Sequence, residues 1–229
     1  MRLLSTLFVT ALMTASVPAL SQTTLPYDHV HLAAPDQAKA VEWYQKNFGG
    51  EITPEGKDRL MFGKTRFIWL KSDMAKPSAD AAIDHIAFSL ADRAPGVITD
   101  PWGVKIEIVN DPARRGFHHV HLNAPDPAAS IAWYQQRFGG ERVKYTGEDA
   151  LKYGDVLMLV QKAKSAPAPS VGHALDHVGW RVTDLEKTLS DLKGITVMQG
   201  ATELQLATGK VHYSFVVDPV GTKIELVQR

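Results

Sequence analysis

His29-Val30-His31-Leu32-Ala33-Ala34-Pro35-Asp36 and His119-Val120-His121-Leu122-Asn123-Ala124-Pro125-Asp126 are one phrase written twice, 90 residues apart. The likeness continues without a gap to Glu51 and Glu141, matching at 15 of 23 positions. It ends on a shared Phe-Gly-Gly-Glu. An internal repeat of this length points to a duplicated unit. Within it, alternating polar and apolar residues suit a half-buried strand. Asp36 and Asp126 stand where helix N-caps belong, with Pro127 at the first helical position of the second copy. Val41, Tyr44 and Phe48 then share one helical face, as do Ile131, Tyr134 and Phe138. Gly49-Gly50 and Gly139-Gly140 stop the helices.

Further strands are expected at 59–62 and 66–70 in the first copy and at 150–153 and 156–161 in the second. Each half then opens a second unit, at Asp84-His85 and at Asp176-His177. The last unit predicts a helix over 183–192, capped by Thr183 with Glu186, then strands at 196–199, 211–217 and 223–227. Its counterpart in the first half is cut short. His85 to Glu107 spans 22 residues, whereas His177 to Glu225 spans 48. The missing length is enough for one helix and two short strands, leaving a histidine strand and a glutamate strand. The halves are placed at 22–110 and 118–229, joined by a linker at 111–117.

Four histidines open apolar runs: His29, His85, His119 and His177. Two runs of the form Asp-Pro-x-Gly-x-Lys-Ile-Glu, at 100–107 and 218–225, end in Glu107 and Glu225. Each half therefore owns two histidines and one glutamate in equivalent strand positions. Two imidazoles and a carboxylate form a facial triad that suits Fe(II), Mn(II), Zn(II) or Ni(II). Such a centre leaves open positions where neighbouring substrate oxygens can be bound and polarised. A lone carboxylate on an apolar strand is costly, and a cation relieves that cost. The competing reading is a duplicated scaffold that has kept the motif and lost its use.

These motifs together resemble the vicinal oxygen chelate superfamily, which holds glyoxalases, bleomycin-binding proteins and extradiol dioxygenases. The resemblance runs from about residue 27 to the C-terminus. It implies an α+β fold of tandem βαβββ modules paired into open barrels, with the second module truncated to a ligand-bearing strand pair. It also implies a metal held by His119, His177 and Glu225 in the second half, and by His29, His85 and Glu107 in the first. The expected activity is that of a metal-dependent enzyme acting on a small oxygen-rich molecule, dioxygenase-like or lyase-like. The alternative is a non-catalytic small-molecule binder. A third reading is a metal-holding module whose shortened sheet edge docks a second subunit, and a homodimer is compatible with all three. Strand ends reading Trp69-Leu70-Lys71 and Val160-Gln161-Lys162 carry no second acidic ligand, which argues against a glyoxalase I site. Phe215 stands where extradiol enzymes usually carry Tyr.

His121 and His31 share the strand face of the first ligands and are candidates for acid/base work, for outer partners or for alternate ligands. His212 and Tyr213 are candidate proton donors or acceptors. Asn123, Arg181 and Lys223 fall on inward positions suited to orienting an anionic substrate. Trp69, Trp102 and Trp180 are candidates for lining a pocket, and Trp43, Tyr44, Trp133 and Tyr134 for packing.

The chain has 229 residues, no cysteine and a formal net charge of zero. Without cysteine, stability must come from packing. The neutral balance gives no footprint for nucleic acid. Arg2 and the apolar run from Leu3 to Leu20, followed by Ala19-Leu20-Ser21, read as a signal peptide over 1–21. A membrane anchor is the rival, but Ser, Thr and Pro interrupt the run. The expectation is an exported protein, periplasmic or secreted, with no membrane attachment after cleavage.

Overall fold

The computed structural model describes residues 23–229; the expected signal peptide lies outside them. The first module consists of β1 (Tyr27–Ala34), α1 (Gln37–Phe48), β2 (Glu51–Ile52), β3 (Arg59–Phe62) and β4 (Thr65–Lys71). The second holds β5 (Ile83–Ser89), β6 (Gly96–Thr99) and β7 (Lys105–Val109). The third repeats the first: β8 (Gly116–Ala124), α2 (Pro127–Phe138), β9 (Glu141–Tyr145), β10 (Glu148–Tyr153) and β11 (Val156–Lys162). The fourth is β12 (Leu175–Arg181), α3 (Leu185–Asp191), β13 (Thr196–Leu206), β14 (Gly209–Val217) and β15 (Lys223–Gln228). No helix among the described residues is long and apolar enough to cross a membrane.

The caps form as the sequence dictates. Asp36 accepts from Lys39 N and Asp126 from Ala129 N, and Gly49 and Gly139 end the helices at φ +78° and +74°. A left-handed φ costs glycine little and other residues much. Three expectations are corrected. The fourth-module helix is capped by Asp184, which accepts from Lys187 N, not by Thr183. The truncated second module keeps a third strand, β6, paired antiparallel to β7. Its histidine and glutamate strands are parallel neighbours. In addition, Gly116 and Phe117, assigned to the linker, already belong to β8.

The strands form two open mixed sheets, and neither follows the halves. One sheet runs β13-β14-β15-β12-β1-β4-β3-β2, and the other β6-β7-β5-β8-β11-β10-β9. The first module is therefore joined to the fourth, and the second to the third. The junctions are antiparallel: β1 meets β12, and β5 meets β8. The helices pack the other way, each within its own half. Phe48 of α1 stacks on Phe88 of β5 at 4.2 Å between centroids, and Phe138 of α2 on Trp180 of β12 at 4.8 Å. Tyr44 donates to Asp100 and Tyr134 to Asp218, both at 2.9 Å, tying each helix to the Asp-Pro turn of the following module. Helices stitch the modules of one half while sheets stitch modules of different halves, so the two halves are interlocked.

Candidate metal centres

The crossed pairing decides which side chains meet. In the first sheet β1 lies beside β12 with His31 opposite His177 and His29 opposite Gly179. β15 runs parallel on the far side of β12, with Glu225 level with Gly179. Period-two alternation puts His29, His31, His177 and Glu225 on one face. Glu225 Oε2 lies 3.1 Å from His29 Nε2, 3.0 Å from His177 Nε2 and 3.7 Å from His31 Nε2. This is centre 1. In the second sheet the same construction gathers His85, Glu107, His119 and His121 as centre 2. Glu107 Oε2 is 3.2 Å from His119 Nε2 and 3.4 Å from His85 Nε2, and His121 Nδ1 is 3.1 Å from His85 Nε2. In each group one ligand atom per residue lies within 4.8 Å of all the others.

The within-half triads expected from the sequence are thus regrouped. His119 does not join His177 and Glu225, and His29 does not join His85 and Glu107. His29 and His119 have changed places, because the first strand of each half pairs with the last module of the other half.

The residue before each of these histidines takes part too, which sequence reasoning missed. Neighbours on a regular strand point to opposite faces, yet Asp28 Oδ1 is 2.9 Å from His29 Nδ1. Asp84 and His85, and Asp176 and His177, are similarly joined at 2.6 Å. The strand register explains it. Tyr27 faces Trp180 while His29 faces Gly179, leaving Asp28 as an extra residue. Asp84, His118 and Asp176 are the extra residues at the corresponding register shifts. A β-bulge re-aims the unpaired side chain, here onto the imidazole that follows. Accepting from Nδ1–H, the carboxylate fixes the tautomer that leaves Nε2 free to ligate. In the third module the bulge residue is His118. Its Nδ1 lies 2.8 Å from His119 Nδ1, and its Nε2 lies 3.2 Å from Asp111. The Asp-His pair recurring in three of the four runs was the available signal.

The electrostatics match a cation site. Burial opposes the Glu225 carboxylate, but His29 and His177 hold its pKa well below the usual range. His119 and His85 do the same for Glu107. Burial penalises a charged His29, yet Glu225 and Asp28 outweigh it and raise its pKa to about 9. Burial, aided by His177 and His29, lowers that of His31. Burial and the neighbouring His85 bring His121 down to about 3. His29 Nε2 and His119 Nε2 are buried without a well-formed hydrogen bond. Buried polar atoms are seldom left so, and a cation between them and the carboxylate would satisfy both. The residues present fit a divalent metal at both centres.

The model of the Glyoxalase/Bleomycin resistance protein/Dioxygenase superfamily matches residues 116–226. Through these residues the chain belongs to that superfamily. No curated protein matches the chain at the sequence level. Among solved structures it is similar to glyoxalase I from Zea mays, at TM-score 0.66 and 17% identity, covering 90% of this chain and 92% of that one. The V278E mutant of glyoxalase I from Zea mays gives TM-score 0.69 and 18% identity, covering 90% of this chain and 92% of that one. At such identities the likeness is one of fold.

Within this superfamily fold the two centres differ in their surroundings. Centre 1 forms the floor of a cavity of about 220 Å³. Its walls include Ile68 and Leu70 of β4, Leu204, Leu206, Val211, Tyr213 and Phe215 of the β13–β14 hairpin, and Val227. Arg59, Lys223 and Arg229 bring positive charge to it. Lys223 reaches Asp176 at 3.0 Å and sits 4.0 Å from the Phe215 ring centre. Arg229 and Arg181 hold Asp28 at 2.6 and 2.8 Å. Centre 2 lacks such a hairpin, having only the exposed four-residue β6. The Glu107 side chain is accordingly 35% exposed, against 12% for Glu225.

The remaining candidates sort by register. Tyr213 faces the cavity, but His212, one residue earlier, turns to the opposite side and lies 3.6 Å from Glu203. Alternation along β14 makes it impossible for both to face inward. Arg181 braces Asp28, and Asn123 Nδ2 donates to Ala81 O and to Asp84. Trp69 and Trp180 do not line the cavity; they are buried in the aromatic cores against Tyr44 and Phe138. Trp102 packs against Trp43. Ile68 stands opposite His31 on β4, and Leu159 opposite His121 on β11. These are the places equivalent to Glu225, so neither centre has a second carboxylate ligand.

Proposed function

We propose that this is an exported, metal-dependent enzyme acting at centre 1 on a small molecule that offers two neighbouring oxygens to the metal. The observation that carries the reading is the convergence of His29 Nε2, His177 Nε2 and Glu225 Oε2 at 3.0–3.1 Å on the cavity floor. Three protein ligands with space above them describe a catalytic rather than a structural ion. The bound metal, one of Fe, Mn, Zn or Ni, supplies Lewis acidity and, if iron, access to dioxygen. Export rests on the N-terminal sequence alone.

The protein's own groups do the rest. Asp28 and Asp176 hold both imidazoles by Nδ1, so the ligand set is oriented before substrate arrives. With their histidine partners, Arg181, Arg229 and Lys223 keep those buried carboxylates ionised. Ile68, Leu70, Leu204, Leu206 and Val227 exclude water from one side and fit a substrate with an apolar body. Tyr213 is placed to exchange a proton with bound substrate, and Lys223 to face a developing negative charge.

The test is to load the mature protein separately with Fe(II), Mn(II), Zn(II) and Ni(II). Turnover of catechols is then followed by oxygen uptake, and that of α-hydroxycarbonyl compounds by absorbance. The reading predicts turnover with at least one metal and its loss in Glu225→Gln. Tight metal and ligand binding without turnover would instead establish a non-catalytic binder. Failure of centre 1 to take up any of the four metals would end the enzyme reading.

A further inference from the structure

Both centres contain three histidines and one glutamate, but the fourth members are placed differently. Ligands about 2.0–2.1 Å from one ion lie roughly 2.8–3.4 Å from each other, for angles between octahedral and tetrahedral. In centre 2 the successive separations are 3.1 Å (His121 Nδ1 to His85 Nε2), 3.4 Å (His85 Nε2 to Glu107 Oε2) and 3.2 Å (Glu107 Oε2 to His119 Nε2). All three fall in that window. The His121 and His85 rings are inclined at 50°, so both nitrogens can aim at a common point. In centre 1 His31 lies flat on His177, at 16° and 4.2 Å between centroids. An ion in the plane of one ring is out of the plane of the other.

From this the geometry points to a division of labour: centre 2 is a closed, four-protein-ligand metal clamp of His85, Glu107, His119 and His121, structural rather than catalytic. This rests on the metal-binding reading above and assigns the second ion a different role. A divalent ion with a tetrahedral preference, zinc above all, suits three imidazoles and one carboxylate. The placement explains what the clamp holds. His85 and Glu107 come from the first half and His119 and His121 from the second, at the one junction, β5 to β8, that joins the halves in the second sheet. That sheet ends beyond β7 in the short exposed β6. The truncated module has fewer strands to secure it, and an ion there compensates. His121 is then a ligand rather than an acid or base.

The experiment uses the mature chain stripped of metal and reloaded with Co(II), whose visible absorption is strong when tetrahedral and weak at higher coordination. The wild type should bind two equivalents. One should give an intense band that acetohydroxamate, a bidentate oxygen ligand, leaves unchanged; the other should give a band that it shifts. His121→Ala should weaken binding of the inert equivalent by more than the roughly 10- to 100-fold seen for outer partners. It should also abolish the intense band, leaving the responsive one. His31→Ala should leave both bands in place. The thermal midpoint should rise more on zinc addition in His177→Ala, which keeps centre 2, than in His85→Ala, which keeps only centre 1.

If acetohydroxamate shifts both bands, or His121→Ala keeps the intense one, the clamp assignment is wrong while centre 1 stands. The wild-type chelator response needs no variant, so misfolding of His121→Ala cannot shelter the idea. One equivalent only, lost in His177→Ala and kept in His85→Ala, would refute the clamp alone. No binding at all would refute the metal reading itself.

Discussion

Gly179 is the residue on which centre 1 turns. It lies opposite His29 and level with Glu225. A Cβ at this position would overlap the His29 ring, which is buried and pinned by Asp28. The ring fills the space a side chain would need. At the matching place in centre 2, Ala87 faces His119 and tolerates its methyl group. Gly179→Ala should therefore displace His29 and lower metal affinity at centre 1 at least about tenfold, with centre 2 unaffected. Isothermal titration with zinc would show one weakened site out of two.

Protonation gives a second expectation for the metal-free protein. His121 and His119 have folded pKa values of about 3 and 4, lowered chiefly by burial. The unfolded value is about 6.5. Between the two the unfolded chain binds more protons, so stability falls as pH falls from 6.5 towards 4. His29, raised to about 9 through Glu225 and Asp28, acts with the opposite sign: its contribution is complete below pH 6.5 and lost as pH rises through 9. His121→Asn should recover about 1–2 kcal/mol of the loss between pH 7 and pH 5. Urea midpoints at the two pH values measure it; an unchanged slope would contradict the burial of a neutral ring.

The modules themselves were largely legible. Alternation gave β1 and β8, caps and glycines bounded α1 and α2, and the four histidine runs marked the module starts. Local patterns fix such elements because their causes lie within a few residues. The bulges at Asp28, Asp84, His118 and Asp176 were not legible, since a bulge is a property of two strands. The long β13–β14 hairpin was partly hidden for a related reason. Much of β13 is exposed and its apolar residues follow no strict alternation. The hairpin should decide what centre 1 accepts. Leu204→Ser with Leu206→Ser should weaken binding of an alkyl-substituted chelator more than that of its unsubstituted parent. The expected difference is roughly tenfold, given about 0.8 kcal/mol per buried methylene. Equal losses for both ligands would show that the wall does not contact the substrate.

The helix anchors are a separate matter of stability. Tyr44 to Asp100 and Tyr134 to Asp218 are buried bonds repeated in both halves. Tyr44→Phe and Tyr134→Phe should each cost about 1–3 kcal/mol in chemical unfolding. The costs should add in the double variant, because the two bonds share no partner.

Across the whole molecule, what escaped the sequence was the pairing of modules. Six candidate ligands were readable from the four histidine runs and the two Lys-Ile-Glu phrases, yet nothing local says which histidine strand lies beside which. Duplication makes the ambiguity worse, because β1 and β8 carry nearly the same residues and either could face β5 or β12. Packing of Phe48 on Phe88 and of Phe138 on Trp180 commits each helix to its own half. The sheets are left to close across the halves, so each centre takes ligands from both, and metal uptake and assembly of the halves become one event.

Counting bound zinc in two double variants tests the crossed arrangement most directly. His29→Ala with His177→Ala should lose a single equivalent, because both residues serve centre 1. His119→Ala with His177→Ala should lose both equivalents, one from each centre. The reverse outcome, two equivalents lost in the first variant and one in the second, would mean that each half holds its own ion and would contradict the crossed arrangement.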